Sequence, residues 1–455
     1  MSEKRELLTS TALGMCCSRR QLLRGALLAA LAPSLGALLS ACGSGAAVPT
    51  PTVAAPAATP TPPAATPTPA AAASPTVAAT PTGQAAAGEP VRIGVLLPYS
   101  GVYTALGENI TRGLELYLEE IGYQAGGRTI EVYKEDDAAN PEVGLTKARQ
   151  LVERDRVHLL AGIVHSGVAT ALRDFVDSQQ IPLVIANAGA APLTRDPAQR
   201  SPYIFRVSFA NGQYEWPLGP YAHDSLGYAR VAVTAPDYSA GHEKANAFKA
   251  AFQKAGGQIV DEVYPPLDTA DFGPFLQRLQ QAQVDAVWAF FAGADAVRFV
   301  QQYNDFGLKD QFPLIGAGDL VDEAYLGQQG DAALDVVTSL HYTPQYDSPE
   351  NQAFVQRFRE KHGQVPNQFA YQGYLCARVI AEALNAVEGQ VEDREAFLSA
   401  LKQVQFTGPT GEFRFHPETQ NVVLTVFFRK VERLADGSLG NVVLDKVEGI
   451  DDLSF

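Results

Sequence analysis

Any metal site or nucleophile in this chain would have to come from seven histidines, four cysteines and their neighbours. The histidines are His158, His165, His223, His242, His341, His362 and His416. None forms a His-x-x-x-His pair, and the stretch beyond residue 88 has no Cys-x-x-Cys, so no metal is expected. No Walker phosphate loop occurs. Val164-His165-Ser166-Gly167-Val168 places a serine between a histidine and a glycine, residue types that a serine hydrolase uses. A nucleophile elbow needs glycines two residues either side of the serine, where Val164 and Val168 stand. The reading is therefore of a protein without covalent chemistry or a cofactor, with a hydrolase kept as an alternative. Ser166 and Gly167 retain another use. They lie where a strand should give way to a helix, so free N–H groups and a hydroxyl would face an anion. The plainer reading is an ordinary helix N-cap.

The surrounding elements follow an alternating pattern. Val91 to Pro98 is a short apolar run ending in turn residues, as in a strand buried on both faces. A helix is expected over 106–120, a strand over 129–133 and a helix over 141–154, where Leu145, Ala148, Leu151 and Val152 share one face. Strands follow over 157–164 and 181–186, with a helix over 170–177 between them. The order then repeats, with strands over 229–233, 259–264, 284–290 and 312–316 and helices over 243–254, 272–283 and 294–306. Ala125-Gly126-Gly127 and Ala255-Gly256-Gly257 both precede a β-rich run, about 130 residues apart, as duplicated αβ units would give. The fold class is α/β, with two doubly wound αβα lobes. Ligands of such sheets bind beyond the carboxyl ends of the strands, so facing lobes would form a cleft.

The first ninety residues read as delivery. A charged segment, Ser18 to Arg24, precedes the apolar run Gly25–Leu39, which suits a twin-arginine or Sec export signal. The run is short for a membrane span and contains Pro33. Leu39-Ser40-Ala41-Cys42 reads as a lipobox whose thiol takes a lipid. Residues 42–88 are rich in Ala, Pro and Thr and cannot bury a core. At roughly 3 Å per residue they could hold the body on the order of 100 Å from a membrane. Cys376 is the only cysteine beyond them, so no disulfide is expected in the body. The net charge is −15, of which residues 1–41 contribute +3, leaving −18 on the remainder. So acidic a body is a poor partner for nucleic acid.

The body resembles the type I periplasmic (extracellular) solute-binding proteins, specifically the Leu/Ile/Val-binding protein family of branched-chain amino acid ABC transporters. The resemblance runs from Val91 to about Leu444. It is carried by Ile93-Gly94-Val95-Leu96-Leu97-Pro98-Tyr99-Ser100-Gly101, Gly107 and Arg112-Gly113. Further stretches are Glu135-Asp136-Asp137, Ala161 to Gly167, Phe205-Arg206, Asp237 to Gly241, Tyr371 to Tyr374 and Gly408 to Phe415. It implies lobes joined by a three-crossover hinge. Lobe one would hold about 91–211 and 341–407, and lobe two about 212–340 and 408–455.

The resemblance also implies a ligand set. Ser166 and Gly167 match the ligand loop. Ala188, Gly189 and Ala190 match a loop that offers backbone groups, and a hydroxyl usual near Ala190 is missing. Tyr238 matches an aromatic on lobe two that covers the ligand. Asp319 is the candidate for an ammonium partner, with Gly318 at the family acid's position, and Tyr103 is a candidate wall. Phe290 and Phe291 read as core. The expected partners are a small amino acid of branched-chain type or a related carboxylate, the permease subunits of an ABC importer, and a membrane through lipid on Cys42. Alternatives are an aromatic or other organic acid or an amide in the same fold, or a ligand-sensing subunit.

Overall fold

The computed structural model describes residues 88–455. The segments read as an export signal, a lipobox at Cys42 and a tether lie outside the described residues. No helix among the described residues is long and apolar enough to cross a membrane.

Two sheets organise the body. The first contains β1 (Val91–Leu97), β2 (Gln124–Ala125), β3 (Arg128–Asp136), β4 (Leu159–Gly162), β5 (Leu183–Ile185) and β6 (Ile204–Arg206), in the spatial order β2-β3-β1-β4-β5-β6. All pair in parallel except the short β2. The second contains β7 (Arg230–Thr234), β8 (Gln258–Val263), β9 (Ala286–Ala289), β10 (Leu314–Ala317) and β11 (Val337–Leu340). The antiparallel hairpin β12 (Gln405–Gly408) and β13 (Gly411–Arg414) stands apart. β14 (Leu424–Arg433) and β15 (Leu439–Ile450) complete the second sheet, in the order β15-β14-β11-β10-β9-β7-β8.

Setting aside β2 and the β14–β15 hairpin, both sheets share one winding, β3-β1-β4-β5-β6 against β8-β7-β9-β10-β11. The duplication reaches single residues. In each lobe a proline just past the first strand turns its carbonyl toward a glycine in the next helix. A Cβ on Gly107 would lie 2.1 Å from Pro98 O, and one on Gly241 would lie 1.9 Å from Pro236 O. No side chain fits at either position.

The alternating pattern read from the sequence is observed, two α/β lobes each wound on a mostly parallel sheet. Apolar runs become central strands because both faces are covered, and β1, β4, β5, β7 and β9 are buried almost throughout. The helix after β3 spans Pro141–Arg149 and continues as a wider π turn over Gln150–Arg154. The helix after β4 begins at Ser166, four residues before the sequence suggests. The helix Gln368–Ala386 packs along Thr104–Glu120 in the first lobe. The segment after β13 returns to that lobe's sheet edge, where Arg206 N donates to Gln420 O at 3.0 Å and Val422 N donates to Arg206 O at 3.0 Å.

Candidate ligand-binding cleft

In each sheet the winding reverses beside its first strand, between β1 and β4 in one and between β7 and β9 in the other. Loops leaving adjacent strands there diverge to opposite faces and leave a crevice. The loops after those four strands carry Tyr103, Val164 with Ser166, Tyr238 with Ala240, and Phe290 with Ala292. All line one cavity between the lobes. Asn187 and Gly189 join from the loop after β5, Asp319 from that after β10, and Lys244 from the helix Ser239–Lys254.

A strained turn delivers Ser166. Gly162 takes φ +109 and Ile163 takes φ +64. A β-branched residue in the left-handed region costs on the order of 1–3 kcal/mol and persists only where surroundings enforce it. Here Ile163 N–H donates to Leu96 O at 2.7 Å, which pins the turn to β1. His165 then caps the helix, its Nδ1 accepting from Gly167 N–H at 3.1 Å. Burial pushes the His165 imidazole down to about 4, so it is neutral at pH 7. Its ring stacks on Tyr238 with centroids 5.1 Å apart, and Tyr103 Oη donates to Tyr238 Oη at 3.0 Å. The lobes therefore meet directly at the cavity wall.

The floor is a buried ionic cluster. Lys244 Nζ donates to Glu215 Oε1 at 2.6 Å, lies 3.5 Å from Asp319 Oδ2 and also donates to Tyr214 Oη. Tyr214 Oη in turn donates to Asp319 Oδ2, and Gln368 Nε2 donates to Asp319 Oδ1 at 3.2 Å. The ammonium sits over the Tyr214, Phe209 and Phe290 rings at 4.0, 4.4 and 4.9 Å from their centroids, a cation–π cage. Burial raises the Glu215 carboxyl above its ordinary range, and Lys244 opposes that rise. His341 lies nearby, its ring 5.5 Å from Phe209. Burial first, then the charges of Lys244 and Arg429, push it down to about 3.

Of the residues singled out in the sequence, Ser166, Tyr103, Tyr238 and Asp319 come together around the cavity. Gly167, Ala188 and Ala190 do not line it. The Gly167 amide is spent on His165, the Ala188 amide on Ile163 O at 2.9 Å, and the Ala190 carbonyl accepts from Arg206 at 2.9 Å. Gly189, between the two alanines, does face the space. Phe290 lines the cavity, whereas Phe291 packs on Phe272 and Phe299 in the core. Sequence reasoning missed Lys244, Glu215, Tyr214 and Asn211. Among the described residues no cluster of His, Cys, Asp and Glu could hold a metal.

The family model described as "Periplasmic binding protein" matches residues 90–438. Leu/Ile/Val-binding protein homolog 6 of Brucella melitensis biotype 1 is 32% identical over 372 residues, covering 80% of this chain and 93% of that protein. Among solved structures, an ABC transporter substrate-binding protein from Sphaerobacter thermophilus is 53% identical with a TM-score of 0.77, covering 81% of this chain and all of that one. A solute-binding protein of an ABC transporter from R. palustris, in complex with benzoate, is 34% identical with a TM-score of 0.74, covering 79% and 98% of the two chains.

Proposed function

The chain belongs to the periplasmic binding protein family, as a solute-binding protein of an ABC transporter, and from that premise we propose that its cleft takes a small aromatic or other organic carboxylate. The observation that carries this reading is the state of Asp319. An amino acid needs an anionic partner for its ammonium, and Asp319 is already paired with the Lys244 ammonium, with Tyr214 and Gln368 also donating to it. The Tyr103, Phe209, Tyr238 and Phe290 rings offer apolar and π surface instead. Ser166, at the start of its helix, supplies a hydroxyl and the positive end of the helix dipole for a carboxylate. The R. palustris relative that holds benzoate supports the same class.

A branched-chain amino acid is the second reading, favoured by the relatives named for Leu/Ile/Val binding. A thermal-shift panel separates the two. At 100 times its dissociation constant a true ligand stabilises the fold by about 2.7 kcal/mol. Benzoate and hydroxybenzoates are expected to raise the Tm and leucine, isoleucine and valine to leave it unchanged; the reverse pattern refutes the proposal. We also propose that Cys42 carries a lipid and that the acidic body works at the outer face of the cytoplasmic membrane or in the periplasm, beside its permease subunits. Fatty-acid labelling of the exported protein is expected to vanish in Cys42→Ser, and labelling that persists excludes that anchor.

A further inference from the structure

Glu243 belongs to the lobe-two helix Ser239–Lys254, yet its carboxylate serves groups outside that lobe. Its Oε2 accepts from Ala191 N–H at 2.9 Å, on the lobe-one loop after β5, and from Asn211 Nδ2 at 2.8 Å, on the segment leaving β6. The other amide hydrogen of Asn211 is directed at Ser166 Oγ, 3.2 Å away. Asn211 N–H also donates to Gly189 O at 2.7 Å. A Cβ on Gly189 would sit 2.2 Å from Asn211 Oδ1, so loop and crossover are in direct contact. Glu243, Asn211 and Ser166 form one unbroken chain of bonds from lobe two to the cavity wall.

We infer that Glu243 is a positioning residue that couples lobe closure to the orientation of Ser166. A serine hydroxyl has one proton and two lone pairs. When Asn211 occupies a lone pair of Ser166 Oγ, the Ser166 proton is free to donate into the cavity. Glu243 fixes the Asn211 amide in the orientation that does this, and it does so only when its helix has closed on the Ala191 loop. Closure thus readies a donor for a carboxylate, and the same bonds hold the lobes together after capture. The role of the readied donor rests on the carboxylate reading above; the coupling itself does not.

Hydrogen exchange of the purified protein, without added solute, tests the coupling. Glu243→Ala is expected to speed exchange at least tenfold in peptides covering 187–193 and 163–168, both on lobe one, while β1 stays protected. Glu243→Gln keeps a carbonyl oxygen that accepts the same two bonds and is expected to stay within about threefold of wild type. Faster exchange confined to 239–254, or a Gln variant as exposed as the Ala variant, overturns the inference. Benzoate release from Glu243→Ala, followed by stopped flow, is expected to be at least tenfold faster with little change in the association rate, and an unchanged off-rate counts against the coupling. Wild-type protein that binds no benzoate while showing the exchange contrast would sink the carboxylate reading and leave the coupling standing.

Discussion

Lys244→Met is expected to destabilise the protein by roughly 3–5 kcal/mol, the usual cost of leaving a buried charge without its partner. Lys244 is 2% exposed and Glu215 0% exposed, so neither can turn to water. Methionine fills much of the space and keeps contact with the three rings, which leaves the lost charge as the main change. The deficit should depend on pH. Burial already raises the Glu215 carboxyl and Lys244 holds it down, so removing the lysine raises it further. A carboxyl with a raised folded value contributes stability below its unfolded value, near 4.3, and loses it as pH rises through the folded value. Denaturant unfolding at pH 5 and pH 8 should therefore show a larger deficit at pH 8. Lys244→Met combined with Glu215→Gln should regain part of the loss, since Glu215 is then uncharged and Asp319 keeps its Tyr214 and Gln368 donors. A deficit that is equal at both pH values and unrelieved in the double variant would contradict the ion-pair account.

Acidification should unfold the protein partly through His341, which is 1% exposed. Its imidazole is held down to about 3, against 6.5 in an unfolded chain, by burial and by the positive charges of Lys244 and Arg429. Over that window the unfolded chain binds a proton that the folded one refuses, so stability is lost as pH falls from about 6.5 toward 3. The slope is about 1.4 kcal/mol per pH unit, and by pH 4.5 the group should have removed roughly 2–3 kcal/mol. His341→Gln keeps an acceptor for Gln372, which lies 3.2 Å from His341 Nε2 in the wild type. Its stability should fall less between pH 7 and pH 4.5 by about that amount. Identical losses in the two proteins would show that His341 does not titrate this way.

The fold was legible in the chain because its signals are local. Runs such as Val91–Leu97 and Ala286–Ala289 are apolar over strand length and end in turns, which suits a sheet covered on both faces. Part of the site was also legible, Ser166 from its place between a strand and a helix and Tyr103, Tyr238 and Asp319 through the family resemblance. Ser166, Tyr103, Tyr238 and Asp319 follow the ends of strands, where the winding must open a crevice. The cluster below them was not. Lys244 reads as one more solvated lysine in an Ala-rich helix, and Glu215 as a first-turn acid. Their meeting with Asp319, 75 residues beyond Lys244 and on another strand end, is a product of packing that no short window contains. Gly167 was placed at the start of its helix, where its amide is spent on His165, and Ala188, Gly189 and Ala190 were placed together by resemblance, of which only Gly189 faces the cavity.

The central claim is that the cleft between Ser166 and the Lys244–Asp319 floor captures a small organic carboxylate with an aromatic body. Calorimetric titration of the purified protein with benzoate, and separately with leucine, tests it most directly. The account predicts one benzoate per chain with a dissociation constant in the micromolar range or tighter, weakened at least tenfold in Ser166→Ala, and no heat of binding with leucine. Saturable leucine binding with none for benzoate or its hydroxylated forms would contradict it.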